Sequence, residues 1–155
     1  MANLDQIDRQ LLSELQAEGR ITNVELAQRV GLTAPPCLRR VRALEDEGII
    51  RGYHAELDAS KLGFTITVFA MVSLKSQAEE SLRAFEAAMH ELPEVREVHM
   101  LNGEIDFILK IVSRDLQSFQ EFLTSKLTPA PNVGSVKTSL TIRTSKYEPG
   151  VPMEV

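Results

Sequence analysis

The spacing of apolar residues changes at Phe64, and this change constrains the fold more than any other feature of the chain. Upstream, apolar residues recur every three or four positions in short runs closed by glycines, the period of helices with one buried face. Downstream, Phe64, Ile66, Val68, Ala70, Val72 and Leu74 alternate with Thr65, Thr67, Phe69, Met71, Ser73 and Lys75, the period of a strand. A chain that keeps the two periods in separate segments predicts two domains. The polar stretch 58–63 marks the joint, so residues 1–60 and 61–155 are the expected units.

The first unit reads as three short helices. Residues 5–18 carry Ile7, Leu11, Leu12 and Leu15 on one stripe, and Gly19 suits the end of that helix. Thr22-Asn23-Val24-Glu25 has the form of a capping box opening a second helix that ends at Gly31. Thr33 predicts the N-cap of a third. Pro35 and Pro36 then fall in its first turn, where backbone N–H groups have no intrahelical partner to lose. Cys37, Leu38, Val41 and Leu44 are expected to face inward, with Gly48 as the stop. Only Gly31 and Leu32 separate the second helix from the cap of the third, the short glycine turn of a helix-turn-helix.

The third helix carries Arg39, Arg40 and Arg42 with no acid before Glu45. A basic helix end behind such a turn is how a recognition helix meets double-stranded DNA. A three-helix bundle that binds nothing would share the turn but has no use for the arginines. Arg39, with Thr33 and Pro35, is expected at base edges, because the guanidinium fork matches guanine. Arg40 and Arg42 are expected to clamp phosphates, with an i,i+4 pair between Arg42 and Asp46 as the alternative for Arg42. Residues 49–57 read as a short extended wing or linker in which Arg51 and His54 are candidate contacts to the DNA backbone, or simply solvated.

The second unit predicts strand, helix, strand, strand, helix, strand. Leu82, Phe85, Met89 and Leu92 recur at helical spacing within 78–92, and Pro93 stops that helix. Strands at 95–101 and 105–113 flank the turn Asn102-Gly103-Glu104. A second helix spans 115–127, and Val136, Thr138, Leu140 and Ile142 alternate in a last strand. The order is that of a ferredoxin-like βαββαβ domain, so the fold class is α+β. Phe69 and Met71 break the polar alternation of the first strand, which predicts that its second face is covered as well, by another subunit. The tail after Tyr147 is expected to be loose.

Bulk charge narrows the partners. The 155 residues carry a net charge of −5, and residues 1–60 hold seven arginines against ten acids. Coating nucleic acid without sequence preference is disfavoured, whereas a local arginine cluster still acts within a Debye length of roughly 8–10 Å. The single cysteine, Cys37, excludes an intrachain disulfide and a cysteine zinc cluster and reads as a small core residue. His54, His90 and His99 lack metal-ligand spacing, so neither a metal nor a cofactor is expected. No apolar run approaches the ~20 residues of a membrane span, and no leader precedes Asp5; a cytoplasmic location is expected.

Three stretches resemble the Lrp/AsnC family, the feast/famine regulators: LDQIDRQLLSELQAEGRITNVELAQRVGL, TAPPCLRRVRALEDEGIIRGY and LNGEIDFILKI. The resemblance covers nearly the whole chain. It implies a transcription regulator that is not an enzyme, with an N-terminal helix-turn-helix and a C-terminal effector-binding domain. It further implies homodimers formed through the C-terminal sheets, assembled into tetramers or octamers that bind an amino acid between dimers. The chain departs from the family's turn, usually glycine, an acid, an aromatic and aspartate, because Ile105 replaces the aromatic in Gly103-Glu104-Ile105-Asp106.

The turn has the chemistry that a zwitterion needs. The backbone N–H groups of Asn102, Gly103 and Glu104 suit a carboxylate, and Glu104 and Asp106 suit an ammonium. Thr138, Ser139 and Thr141 are candidates to complete the site from a neighbouring dimer. A tight hairpin with solvated acids is the alternative. Two other functions share the scaffold. One is a tetrapyrrole decarboxylase-like enzyme, which would want His99, Arg96 and Arg143 to converge; the other is an architectural DNA-binding protein without effector.

Overall fold

In the computed structural model, residues 4–154 are described and divide into two units, 4–56 with 146–154, and 57–145. The outer ends of the two expected segments, residues 1–3 and 155, lie outside the described residues.

The first unit holds α1 (Gln6–Ala17), α2 (Asn23–Arg29) and α3 (Ala34–Asp46). Asp5 caps α1 with a full capping box. The Asp8 N–H donates to Asp5 Oδ1 at 2.8 Å, and the Asp5 N–H donates to Asp8 Oδ2 at 3.2 Å. Of the box expected at α2 only half forms: the Glu25 N–H donates to Thr22 Oγ1 at 3.2 Å, while the Glu25 carboxylate goes to Arg29. Leu11, Leu26, Ala27, Val30, Cys37, Val41 and Leu44 make the core. Leu38, expected inward, is 38% exposed. Five residues after the N-cap Thr33, it lies beside the apolar stripe of Cys37, Val41 and Leu44, on the outer side with Pro35. Gly31 has φ +70°, a left-handed conformation that glycine adopts without strain, and it closes α2 for the short turn into α3.

The tail is tied to this first unit. Gln16 Nε2 donates to the Val151 carbonyl at 2.7 Å, and the Val151 N–H donates to Gln16 Oε1 at 2.9 Å. Gly150 makes the approach possible: its φ is +92°, and a Cβ there would collide with the Gln16 amide. The tail is therefore anchored, where the sequence predicts a loose end.

The second unit contains β1 (Ile66–Leu74), α4 (Glu79–His90), β2 (Val95–Met100), β3 (Phe107–Ser113), α5 (Leu116–Phe122) and β4 (Val133–Leu140); a π-helical turn, Leu123–Leu127, extends α5. The sheet order is β2-β3-β1-β4, all antiparallel, the ferredoxin-like arrangement. Val68, Ala70 and Val72 lie opposite Ile111, Leu109 and Phe107, and this face packs on Phe85, Met89, Phe119 and Leu127 from the helices. The other face of the sheet carries Phe69 and Met71 opposite Lys110 and Ile108. Among the described residues no helix is long and apolar enough to cross a membrane.

Candidate DNA-binding face and effector turn

The start of α3 is held in place by α2. Thr33 occupies the N-cap with extended backbone, but its side chain makes no capping bond; Asn23 Nδ2 instead donates to the Ala34 carbonyl at 2.8 Å. The expected cap is thus positionally right, while the hold comes from a residue that the sequence did not single out. Arg29 ties the two preceding helices together, with hydrogen bonds of 2.8–2.9 Å to Glu14, Glu18 and Glu25. These glutamates push its already high pKa further up. The head that carries α3 is therefore cross-braced.

The three arginines of α3 divide into two kinds. Arg39 and Arg42 are exposed, on the same side as Thr33, Pro35 and Leu38, and neither enters an ion pair among the described residues. The Arg42–Asp46 alternative does not form. Arg40 turns the other way: its Nη1 lies 2.8 Å from Asp5 Oδ2 and 2.7 Å from Asp8 Oδ1. Both carboxylates raise its pKa, Asp8 more than Asp5. The expectation of Arg40 as a phosphate clamp thus meets a guanidinium already committed to the capping box of α1. A shift of one residue rotates a side chain by about 100°, enough to move Arg40 from the open face to the α1 side.

Beyond α3 the backbone of residues 51–57 is irregular rather than a paired strand. Arg51 is exposed there. The Tyr53 hydroxyl donates to Glu45 Oε1 at 2.9 Å, which fastens the segment back onto α3. Burial, then the Glu45 carboxylate, pushes the Tyr53 phenol up to about 12.

In the second unit the hairpin turn is wider than expected, running from Leu101 to Asp106. The Leu101 N–H donates to the Asp106 carbonyl at 2.8 Å, and the Asp106 N–H donates to the Val72 carbonyl at 3.0 Å. Between them Asn102, Gly103 and Glu104 are exposed, and their N–H groups have no backbone acceptor among the described residues. The two acids differ. Asp106 Oδ2 accepts from the Leu74 N–H at 2.6 Å and from Gln77 Nε2 at 3.3 Å, so this carboxylate braces the turn against the end of β1. Glu104 is exposed and makes no side-chain hydrogen bond or ion pair among the described residues.

Thr138, Ser139 and Thr141 do not reach that turn within one chain. Thr138 lies opposite Ala70, four residues along β1 from Leu74, which is roughly 13 Å at ~3.3 Å per residue. Thr138 and Ser139 also point to opposite faces, and the Thr141 N–H donates to the Thr67 carbonyl at 2.8 Å, farther still. Nor do His99, Arg96 and Arg143 converge. His99 bonds Glu97 on the outer sheet face, Arg96 reaches the Pro93 carbonyl, and Arg143 lies beyond the end of β4.

A braced helix-turn-helix head with an open arginine face, followed by a ferredoxin-like domain with a donor-rich turn, defines a DNA-binding transcriptional regulator with a ligand-binding domain. Residues 67–151 match the family model for the Lrp/AsnC ligand binding domain, and residues 4–51 match that for a winged helix-turn-helix DNA-binding domain. The chain belongs to the Lrp/AsnC family. It is 55% identical over 143 residues to a leucine-responsive regulatory protein of Rhizobium meliloti (strain 1021), covering 92% of each chain. It is 39% identical to the Bkd operon transcriptional regulator of Pseudomonas aeruginosa, covering 99% of this chain and all of that one. Among solved structures, a transcriptional regulator of Neisseria meningitidis in complex with L-methionine superposes with a TM-score of 0.92 at 35% identity, covering 97% of both chains. An AsnC family regulator from Agrobacterium tumefaciens gives 0.90 at 30% identity, covering 96% of this chain and 97% of that one. These relatives are regulators, and the chain is a regulator rather than an enzyme.

Proposed function

We propose that the face formed by Thr33, Pro35, Arg39 and Arg42 enters the major groove of double-stranded DNA, with Arg51 on the flanking backbone and Arg40 buttressing the helix from behind. The observation that carries this reading is the pair of arginines that have no ion-pair partner among the described residues, aligned on an exposed side of a cross-braced helix. Arg39, nearer the N-terminus of α3, reads base edges; Arg42 neutralises phosphate. The protein works in the cytoplasm, where its DNA is.

The effector is a small apolar α-amino acid held at the turn of residues 102–106. The N–H groups of Asn102, Gly103 and Glu104 receive its carboxylate and Glu104 its ammonium, while Asp106 keeps the turn open through Leu74 and Gln77. The complex of the Neisseria relative with L-methionine supports an amino acid of this class. Because Thr138, Ser139 and Thr141 lie far from the turn of their own chain, they complete the site only from a second copy. The effector therefore bridges subunits, and its binding is linked to assembly. Dimers form through the sheet face bearing Phe69, Met71 and Ile108, and dimers associate into tetramers or octamers. An effector that prefers one assembly shifts DNA affinity by its differential binding energy, typically ~1–3 kcal/mol.

The test is a thermal-shift screen of the twenty amino acids on the full chain, followed by fluorescence anisotropy on DNA selected from a random library. A ligand at 100 times its Kd adds about 2.7 kcal/mol of stability. If no amino acid raises Tm, the effector reading is wrong. If selection enriches no sequence, the reading of α3 is wrong.

A further inference from the structure

The second unit contains a cleft of about 680 Å³ at the end of the sheet opposite the hairpin turn. β3 separates them: the turn precedes Phe107 and the cleft reaches Val112 and Arg114, roughly 20 Å away at ~3.3 Å per residue. One wall is Leu62 and Phe64 from the segment that leads the chain into β1; the other is Pro93 and Val112. The volume and apolar lining are those of a small-molecule site.

Two guanidiniums flank these walls. Arg114 sits 4.8 Å from the Phe64 ring centroid, and Arg96 Nη1 donates only to the Pro93 carbonyl, at 3.4 Å. Neither has an acid within salt-bridge distance among the described residues. Asp115, next in sequence to Arg114, accepts from the Ser118 N–H and makes no ion pair with the guanidinium among the described residues, although the Arg114 charge helps to hold its carboxyl low. The one acid of the wall, Glu94, is spoken for: Oε1 is 2.5 Å from Lys126 Nζ, and Oε2 is buried out of reach. Burial is the largest single influence on the Glu94 carboxyl and raises it, but the bond and charge of Lys126 together with the residue's own backbone N–H outweigh it and the net direction is down. The cleft thus offers two guanidiniums to an anion, while its one lining acid is engaged by Lys126.

We propose that this cleft is a second ligand site, distinct from the amino-acid turn, which takes a small apolar carboxylate without an amino group. The carboxylate bridges Arg96 and Arg114, and its hydrocarbon part lies between Phe64 and Pro93. Occupancy pins residues 57–64, the segment joining the two units, onto the sheet, so the ligand acts directly on the connection to the DNA-binding head.

The experiment is calorimetry on the full-length protein with 4-methylpentanoate as probe, against leucine (same chain, added ammonium) and 4-methylpentan-1-ol (no charge). Saturable binding of the carboxylate is expected, with the alcohol at least tenfold weaker. Arg96→Gln and Arg114→Gln should each weaken the carboxylate tenfold or more, Ala59→Phe should fill the cleft and abolish binding, and Glu104→Ala should leave it unchanged. Arg114 also stacks on Phe64, so Arg96→Gln, with its exposed side chain, carries the test if the Arg114 variant does not fold. Absence of saturable binding, or equal binding by the parent and the cleft variants, overturns the proposal. So does loss of the carboxylate in Glu104→Ala, which would place it at the turn. Leucine binding that fails in Glu104→Ala but persists in Arg96→Gln separates the two sites. If the parent binds the carboxylate and no amino acid, only the effector reading falls.

Discussion

Arg40 Nη1 lies 2.7 Å from Asp8 Oδ1, a bond that joins α3 to the capping box of α1 across 32 residues of sequence. The same nitrogen reaches Asp5 at 2.8 Å. Of three arginines that look alike in sequence, one therefore holds the helix against α1, and the proposed reading leaves the other two for DNA. Arg40→Ala should lower the stability of the first unit by about 1 kcal/mol, the upper end for a partly exposed ion pair, read as a drop in its unfolding midpoint by circular dichroism. DNA affinity should fall without a change in salt slope. A reduced slope with unchanged stability would return Arg40 to the phosphates.

Arg39 and Arg42 should separate by specificity. Arg39→Ala is expected to cost about 1–3 kcal/mol on the selected sequence and to relax preference at one position of each half-site. Arg42→Ala should weaken all sequences alike and reduce the slope of log K against log salt by about 0.9. Anisotropy titrations at several salt concentrations distinguish the two; parent-like affinity in both variants would exclude α3 as the reader.

Acid sensitivity follows from two caps. The Asp5 carboxyl is held below the ordinary aspartate value of 3.8 by the Asp8 backbone N–H and then by Arg40. Asp115, at the start of α5, is held low by the backbone and then the side chain of Ser118. A carboxyl with a depressed folded pKa adds stability that is complete above its unfolded pKa and disappears as pH falls through the folded one. Stability should accordingly hold from neutral pH down to about 4 and decline below it. Asp5→Asn and Asp115→Asn should flatten that acid limb in pH-dependent urea titrations, whereas an unchanged limb would assign it to other groups.

Phe69 is 37% exposed at the centre of the outer sheet face, beside Met71 and opposite Lys110. Phe69→Lys places a second cation beside Lys110 and removes the apolar side chain, so the proposed dimer should dissociate at micromolar concentration in analytical ultracentrifugation. A variant that sediments as the parent does would locate the interface elsewhere.

The two acids of the hairpin turn should behave differently. Glu104→Ala should abolish amino-acid binding in calorimetry with little change in Tm. Asp106→Ala frees the Leu74 N–H and should lower Tm, with a penalty of about 1–3 kcal/mol for a lost charged hydrogen bond. Equal effects on binding with no change in Tm would mean that Asp106 touches the ligand.

Element order and the glycine turn were legible in the sequence because each depends on local periodicity or on one residue's backbone preference. Gly31 closes the helix-turn-helix turn as its position implies, and the alternation from Ile66 to Leu74 became one of the two inner strands. The free face of α3 was legible only in outline, since arginines one residue apart point about 100° apart and their partners lie on another helix. Tertiary structure decided the rest. It paired Arg40 with Asp5 and Asp8, turned Leu38 outward and fastened Val151 to Gln16. It gave Asp106 to the end of β1 and set Thr138 and Thr141 far from the turn within one chain, so that only a neighbouring copy could bring them to it. Each of these depends on contacts between groups distant in sequence, which the chain's periodicity does not encode.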